Sequence, residues 1–262
     1  MQLYHHPISP CAQKVRLVLA EKALDFEPML VNLAEKENLR ADYLQLNPKG
    51  VVPTLVDEGA TVIESTLINE YLDERYPETP LKPATPAACA EMRLWSKLVD
   101  DKVHPANGGI AWALLVLPQW KDKSREEVQA LVDMVFDPVR RARQQRFVEQ
   151  GLEASDFSEG LSVFSETLAY MDQKLADRAY LMGDAFTLAD AALVPYANTL
   201  LQFGFEAMYE SHYLNFTAWF ERCRARPSYE TAIVDWLSKE RWAAIKASGR
   251  KAWPMVQRHT GL

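Results

Sequence analysis

Hydrophobic positions in the first third of the chain alternate between the two-residue repeat of strands and the three- to four-residue repeat of helices. Short apolar runs bounded by turn residues predict strands, and longer amphipathic stretches predict helices. Asp57, Glu58 and Gly59 separate two such runs and predict a hairpin turn. The predicted elements are strand 2–5, helix 10–22, strand 26–31, helix 41–46, strands 53–56 and 61–63, and helix 65–75.

The order of these elements, β-α-β-α-β-β-α with a hairpin in the second half, describes a thioredoxin-like α/β domain. Four prolines lie between residues 77 and 86. Because proline removes a backbone donor and restricts the residue before it, this segment predicts a break between domains. We therefore predict an N-terminal domain at 1–78, a linker at 79–86 and a C-terminal domain at 87–262.

The C-terminal domain is predicted to be an all-α helical bundle. Apolar residues recur there at three- and four-residue spacings, beginning with Met92, Trp95 and Leu98. Further helices are predicted at 125–150, 157–175, 188–203 and 213–226. The last segment, 241–262, contains five Lys and Arg residues and no carboxylate side chain, and we expect it to lie over the acidic body as a tail.

Composition and charge narrow the functional classes. The 262-residue chain has a formal net charge of −7 and a pI near 5.4, which disfavours nucleic acid or an anionic membrane surface as the main partner. Cys11, Cys89 and Cys223 are too few and too scattered for a disulfide framework or a four-ligand zinc site, so we expect no metal. The N-terminal residues contain no apolar signal core, and a reducing cytoplasm is the expected compartment.

The first candidate for chemistry is Ser9, which stands between a predicted strand and the helix that opens with Pro10. A serine at the N-cap followed by proline at the first helical position is common without any catalytic purpose. The functional alternative is that the Ser9 hydroxyl donates a hydrogen bond to a bound anion, helped by the helix dipole.

Two further motifs combine unusual backbone with polar groups. Pro53 stands where a strand should begin, which is sensible if Val52–Pro53 is a cis peptide that presents the Val52 backbone to an extended peptide ligand. An edge proline without a ligand is the alternative. Glu64 and Ser65 stand where a strand runs into a helix, with Ser65 predicted at the N-cap; Ser65 suits a carboxylate there and Glu64 an ammonium group.

In this order and spacing, the motifs resemble the serine-type glutathione transferase superfamily. Its active-site pattern, Ser followed six and seven residues later by Val and Arg, matches residues 9–16. Val52–Pro53 matches its residue–cis-proline pair, and Glu64–Ser65 its γ-glutamyl-binding pair. Residues 183–190 resemble its helix-start motif, with Thr187 as cap, Asp190 capping back and Phe186 as hydrophobic staple, a folding role.

The resemblance implies an enzyme that takes glutathione as co-substrate and transfers it to small hydrophobic, aromatic electrophiles. Ser9 would hold the thiolate, and Arg40 or Lys49 would bind the glycyl carboxylate. It also implies a homodimer. The helix at 90–100 and the charged stretch 137–149 are similar to bacterial β-aryl-etherase-type transferases. Candidates for the electrophile pocket, which are equally compatible with a core role, are Trp95, His104, Trp112 and Trp120.

Two other functions stay open. Cys11 lies in the first turn of the same helix, where thiol pKa values fall, so a Cys11-dependent thiol-disulfide oxidoreductase is one alternative. The position directly before the proline, where cysteine-type transferases carry their nucleophile, is nevertheless Ser9. A non-catalytic glutathione-binding module is the second alternative. Tyr4 is expected in the core, and His5 and His6 are expected to be solvated or structural.

Overall fold

A small mixed sheet forms the centre of the N-terminal domain. The computed structural model describes residues 1–33 and 35–262. Within these residues the strands β1 (Gln2–His5), β2 (Glu27–Leu30), β3 (Thr54–Asp57) and β4 (Ala60–Ile63) form one sheet in the order β2-β1-β3-β4. β1 is parallel to β2 and antiparallel to β3, and β3 is antiparallel to β4.

Helices complete this domain in the predicted order. They are α1 (Pro10–Glu21), α2 (Ala41–Leu46) and α3 (Ser65–Arg75). Buried Leu3 and Leu55 of the sheet belong to one core with apolar residues of α1 and α3. The predicted hairpin turn is confirmed, because Glu58 and Gly59 both have positive φ, 48° and 84°, as a two-residue turn between twisted strands requires. The arrangement confirms the thioredoxin-like α/β domain.

Residues 86–262 fold as a bundle of helices, which confirms the predicted all-α domain. The segment 76–85 before it contains no helix or strand. The first long helix consists of α4 (Pro86–Leu98), a π-helical turn at Val99–Val103, α5 (His104–Ala111) and a second π-helical turn at Trp112–Val116. The remaining helices are α6 (Arg125–Asp133), α7 (Pro138–Gln150), α8 (Ser155–Lys174), α9 (Leu188–Phe203), α10 (Leu214–Arg224), the short α11 (Pro227–Tyr229) and α12 (Lys239–Thr260).

α9 is the central element of the molecule. Nearly all of its residues are buried, and it packs against α4, against α12 and, across the domain boundary, against α1. Its start is the predicted motif: the Thr187 backbone N–H and hydroxyl both donate to Asp190 Oδ2, at 2.8 and 2.9 Å. α9 therefore fixes the helical domain against the helix that begins with the Ser9 motif.

Two sequence-based predictions about helices need correction. The helix predicted at 125–150 is broken into α6 and α7, because the Asp137 side chain caps a new helix start by accepting from Arg140 N at 2.7 Å and Pro138 cannot continue the preceding helix. The segment 241–262, predicted as a tail over the acidic body, is helical as far as Thr260 and belongs to α12. It does lie on the body of the protein, but it is attached through a buried apolar face as well as by ion pairs of Lys246 with Glu206 and of Arg258 with Glu153.

Candidate functional site

The three motifs singled out from the sequence lie at one edge of the sheet. Tyr4 pairs with Thr54, and Thr54 pairs with Ile63, so the end of β1, the start of β3 and the end of β4 are neighbours. Ser9 follows β1, Val52–Pro53 precedes β3, and Glu64–Ser65 follows β4. The strand register therefore brings together motifs that are separated by up to 56 positions in the chain.

Ser9 is the N-cap of α1, as predicted, with Pro10 as the first helical residue. Its Oγ accepts from the Ala12 backbone N–H at 3.4 Å, and the residue is partly exposed. A hydroxyl has lone pairs for accepting and a separate proton for donating. The capping role and the anion-binding role therefore use different parts of the same group, and Ser9 can perform both.

The turn before β3 contains the predicted cis peptide, Val52–Pro53. The neighbouring Val51 carbonyl is fixed by the Tyr43 hydroxyl at 2.6 Å and by Asn47 Nδ2 at 2.8 Å. By contrast, neither the N–H nor the C=O of Val52 makes a hydrogen bond to another residue in the described part of the chain. A braced turn with one unpaired backbone unit is what binding to the backbone of a peptide requires.

The start of α3 differs from the prediction by one position. Glu64 is the N-cap, and Ser65 is the first helical residue and is buried. Glu64 has φ 70° and ψ 112°, a conformation that costs a residue with a Cβ about 1–3 kcal/mol. This positive φ turns the chain one residue earlier than a serine cap would, and it corrects the assignment of Ser65 as N-cap.

The two cations proposed for the glycyl carboxylate lie in neighbouring loops. Lys49 Nζ is 2.6 Å from Glu64 Oε1, which connects the loop before β3 with the start of α3. Arg40 precedes α2 and forms an exposed ion pair with Glu37 at 3.2 Å. Asn38 Nδ2 donates to Gly50 O at 2.7 Å, so both cations belong to one connected loop region.

The four aromatic candidates on the helical domain fall into three places. His104 is brought to α1, where its Nδ1 lies 3.6 Å from Cys11 Sγ. Trp112 and Trp120 pack together, and Trp112 stacks on Phe147 of α7. Trp95 instead packs against Tyr170 of α8, in a groove between α4 and α8. His104 is thus the candidate that joins the two domains next to Ser9.

Sequence reasoning missed the contact of Cys11 and His104 with Tyr196 on α9. The Tyr196 hydroxyl lies 3.1 Å from His104 Nδ1 and 3.9 Å from Cys11 Sγ. It also missed that buried Lys14 contacts Thr66 Oγ1 at 2.9 Å and Asp100 Oδ1 at 3.2 Å. No local pattern could have revealed these contacts, because they join α1, α3, the π-helical turn, α5 and α9.

This polar cluster changes the acidity of Cys11. Burial alone would raise the pKa of the thiol, but the positive charge of His104 and its hydrogen bond, followed by Lys14 and Ser65, lower it to about 7. For His104, burial lowers the pKa of the imidazole, and the Cys11 thiolate outweighs that effect so that the pKa is raised overall. The two groups thus favour a thiolate–imidazolium pair.

The remaining sequence candidates have structural surroundings. His5 is fully buried rather than solvated, with Nδ1 2.9 Å from a nitrogen of Arg16 and its ring edge-on to Trp236. Burial and the Arg16 charge lower the pKa of His5 to about 3. Tyr4 packs its ring against Tyr43.

Neither a metal centre nor a membrane span is found in the described chain. Among residues 1–33 and 35–262, no three His, Cys, Asp or Glu side chains are grouped so that they could hold a metal ion. None of the helices in those residues is both long and apolar enough to cross a membrane.

Comparisons with known proteins agree with this architecture. Residues 3–80 match the family model "Glutathione S-transferase, N-terminal domain", and residues 152–227 match "Glutathione S-transferase, C-terminal domain". Glutathione S-transferase 3 of Zea mays is 31% identical over 89% of this chain and 93% of its own. Maleylacetoacetate isomerase of Pseudomonas aeruginosa is 34% identical over 78% of this chain and 83% of its own.

A relative of known structure is similar to this chain in both sequence and fold. Protein LigF of Sphingobium sp. is 29% identical over 87% of this chain and 91% of its own. Its crystal structure, described as that of a beta-etherase, superimposes with a TM-score of 0.80 over 89% of this chain and 98% of that chain. This protein is thus a transferase that belongs to the glutathione S-transferase family, whose members use glutathione as co-substrate.

Proposed function

We propose that this transferase binds glutathione at the sheet edge formed by Ser9, Val52–Pro53 and Glu64–Ser65, and that Ser9 holds the glutathione thiol as a thiolate. The observation that carries the proposal is the geometry of Ser9. Its lone pair is engaged by Ala12 N, while its hydroxyl proton is available at the positive end of α1. A donor at that position favours an anion over a neutral thiol.

The energy that such a donor supplies matches the requirement. A thiol with a pKa of about 8.5 is only about 7% ionised at pH 7.4. Lowering the pKa by about two units makes nearly nine-tenths of it thiolate and requires about 2.7 kcal/mol of preferential stabilisation of the anion. A hydrogen bond to a charged group contributes about 1.5–3 kcal/mol, so the Ser9 hydroxyl and the helix dipole together suffice without a general base.

The rest of glutathione is held by backbone and charge. The unpaired N–H and C=O of Val52 pair with the cysteinyl backbone, Ser65 binds the γ-glutamyl carboxylate, and Glu64 binds its ammonium group. The strained backbone of Glu64 supports this assignment, because such strain concentrates at ligand-binding positions. Lys49 or Arg40 takes the glycyl carboxylate; of the two, Lys49 already contacts Glu64.

We assign small hydrophobic, aromatic electrophiles to the region where α1 meets the helical domain, next to His104. Trp112 and Trp120, which pack together beside Phe147 of α7, stay candidates for its wall. The similarity to LigF, a beta-etherase, supports aryl ethers among these electrophiles. In such a reaction the thiolate attacks the carbon that bears the ether oxygen, the carbon–oxygen bond breaks, and the phenolate leaves and is protonated.

The test is the ultraviolet thiolate absorbance of bound glutathione as a function of pH. Wild type should show a pKa well below 8.5, and Ser9→Ala should return it toward that ordinary value. Ser124→Ala is the matched control, because Ser124 caps α6 in the same way, accepting from Glu127 N at 3.2 Å. Glutathione that binds with an ordinary pKa in wild type would indicate a binding module instead, and an unchanged pKa in Ser9→Ala would leave Ser9 as a cap only.

The proposed substrate class has its own assay. Release of a phenol from a β-aryl ether is followed with and without glutathione, alongside an aryl halide as a general electrophile. Turnover of the halide but not of the ether would support transferase activity and contradict the proposal of ether cleavage.

We also propose a cytoplasmic homodimer. The three cysteines form no disulfide, which suits a reducing compartment. A groove of about 330 Å³ between α4 and α8 is flanked by Leu94 and Tyr170, which are 67% and 44% exposed, and Leu67 of α3 is 58% exposed. Exposed apolar side chains around a groove are typical of a protein interface. Leu94→Glu should convert a dimer to monomer in light scattering; a wild-type monomer would reject the assignment.

A further inference from the structure

The three cysteines of the chain have three different environments. The Cys89 thiol donates to the Pro83 carbonyl at 3.0 Å, a contact that needs the proton. Cys223 is buried, and burial raises the pKa of its thiol well above the ordinary value. Cys11 alone among them lies beside an imidazole, that of His104, in the described chain.

The geometry around Cys11 is that of a nucleophile with a held base. Its Sγ lies 3.6 Å from Nδ1 and 3.9 Å from Nε2 of His104. The Tyr196 hydroxyl, buried on α9, lies 3.1 Å from Nδ1 and fixes the ring. Tyr196 thus contacts the same nitrogen as Cys11 and lies 3.9 Å from its Sγ, which holds the thiol and the imidazole together. A thiol in contact with an imidazole is an arrangement that activates thiols for covalent chemistry.

Cys11 also lies next to the proposed glutathione site. Cys11 and His104 are both partly exposed, whereas Tyr196 behind them is buried. Cys11 stands two residues after Ser9 in the first turn of α1, and Ser65 is close enough to hydrogen-bond its thiol. The sulfur therefore lies between the glutathione-binding edge and the helical domain.

We propose that Cys11 is a modification site that accepts a glutathionyl group from glutathione disulfide, and that the adduct blocks the transferase site. The Cys11 thiolate attacks one sulfur of the disulfide, the S–S bond breaks, and a Cys11–glutathione disulfide forms as one glutathione thiolate leaves and takes a proton from the medium. Glutathione or another thiol reverses the exchange. No oxidant beyond the disulfide itself is consumed.

Blocking follows from where the adduct must lie. A glutathionyl group attached at Cys11 starts from the first turn of α1, two residues after Ser9 and beside His104. A second glutathione cannot occupy the Ser9 position at the same time. The exchange itself depends on Cys11 and His104 and not on the Ser9 hydroxyl, whereas the blocking rests on the proposed glutathione position at Ser9.

The expected size of the His104 effect is modest near neutral pH. With a pKa of about 7 the Cys11 thiol is about one-quarter ionised at pH 6.5, against about 1% for an ordinary thiol. Because nucleophilicity falls as the pKa falls, with a Brønsted slope of about 0.4–0.5, the net advantage in rate is about fivefold at that pH.

The experiment incubates the protein with glutathione disulfide between pH 5.5 and 9 and measures intact mass and transferase activity after removal of the reagent. Wild type should gain one glutathionyl group at Cys11, lose activity in proportion, and recover it with dithiothreitol. Cys11→Ser should gain no adduct there and keep its own activity. Cys89→Ser is the matched control and should behave as wild type.

Further variants separate this proposal from the role of Ser9. Ser9→Ala should still form the adduct even though its transferase activity is low. His104→Gln should react about fivefold more slowly at pH 6.5, with the midpoint of its pH profile moved toward about 8.5. An adduct at Cys89 instead of Cys11, equal inhibition of Cys11→Ser, or full activity of the Cys11 adduct would each overturn the proposal.

Discussion

Asp190 is the buried acceptor on which the start of α9 depends. It is fully buried and receives the Thr187 backbone N–H and hydroxyl at 2.8 and 2.9 Å, the Leu181 backbone N–H at 3.0 Å, and Trp219 Nε1 at 2.9 Å. Three separate segments, the loop before α9, α9 itself and α10, therefore meet on one carboxylate. Asp190→Ala removes the acceptor from all of them without adding bulk.

The cost can be worked out from the donors left behind. The Thr187 hydroxyl can rotate, but three N–H groups lose their partner, and each buried unpaired donor costs about 1–3 kcal/mol. Burial raises the pKa of Asp190, so removal of the carboxylate relieves some desolvation and offsets part of this sum. We expect Asp190→Ala to lower the free energy of unfolding by at least about 3 kcal/mol. This is a large part of the roughly 5–15 kcal/mol that stabilises a typical fold.

Urea unfolding followed by circular dichroism measures this loss, and Asp172→Ala is the matched control. Asp172 Oδ1 also accepts two backbone N–H groups, from Asn215 at 2.8 Å and Phe216 at 3.0 Å, but Asp172 is only partly buried. Water can replace it, so its loss should cost about 1 kcal/mol, as for a helix cap. Equal losses for the two variants would refute the argument from burial.

Two further predictions concern stability. The folded-state pKa of His5, about 3, lies below the unfolded value of about 6.5, so the unfolded chain binds the proton first. The contribution of His5 to stability should therefore fall by about 2 kcal/mol from pH 7 to pH 5 in urea unfolding. His5→Gln should remove this part and leave the smaller dependence that comes from His6, whose pKa is lowered by burial and by Arg241. A Cβ on Gly249 would lie 2.0 Å from Phe203 O, so Gly249→Ala should push α12 from α9 and cost about 1–3 kcal/mol in thermal unfolding. Gly108→Ala is the contrast, because a Cβ on this helical glycine would come no nearer than 3.4 Å, to the end of the Arg143 side chain, and should not destabilise the fold.

Helices whose first and last residues carry capping patterns could be located from the sequence. α9 was predicted with its observed bounds because Thr187 and Asp190 mark its start and Gly204, with φ 75°, marks its end. The glutathione-binding motifs could be recognised for the same reason: each is a short local pattern at a strand–helix or loop–strand junction. Their meeting at one edge follows from the order of the strands, which the β-α-β-α-β-β-α pattern already contains.

What the sequence did not reveal depends on packing between distant segments. The basic residues of 241–262 predict a tail, and they obscure the apolar face formed by Ile245, Ala252 and Val256. That face can be recognised only when α8 and α9, against which α12 packs, are in place. The contact between Cys11 and His104 also depends on packing between distant segments. Cys11 and His104 were each noted, but 93 residues separate them, and their contact exists because α1 packs on the helical domain.

Because the contact with His104 favours a Cys11 thiolate, two sulfur anions would lie close together at the start of α1 when glutathione is bound. Cys11 and a thiolate held by Ser9 would lie about 7 Å apart, since their residues are two positions apart in one helical turn. At an effective dielectric constant of about 20, two unit charges at that distance repel by about 2 kcal/mol, or between one and two pKa units. The His104 imidazolium offsets part of this repulsion, which leaves an expected shift of about one unit.

This repulsion means that the pKa of bound glutathione depends on Cys11. Removing the Cys11 thiolate in Cys11→Ser should lower the pKa of bound glutathione by about one unit, in the absorbance titration described for Ser9, with the difference taken between samples with and without glutathione. Cys223→Ser removes a thiol that burial keeps protonated and should leave the pKa unchanged. If Cys11→Ser leaves the pKa of bound glutathione unchanged or raises it, Cys11 is not ionised beside the bound thiolate. Bound glutathione would then hinder the exchange of Cys11 with glutathione disulfide only by occupying space, and not by charge repulsion.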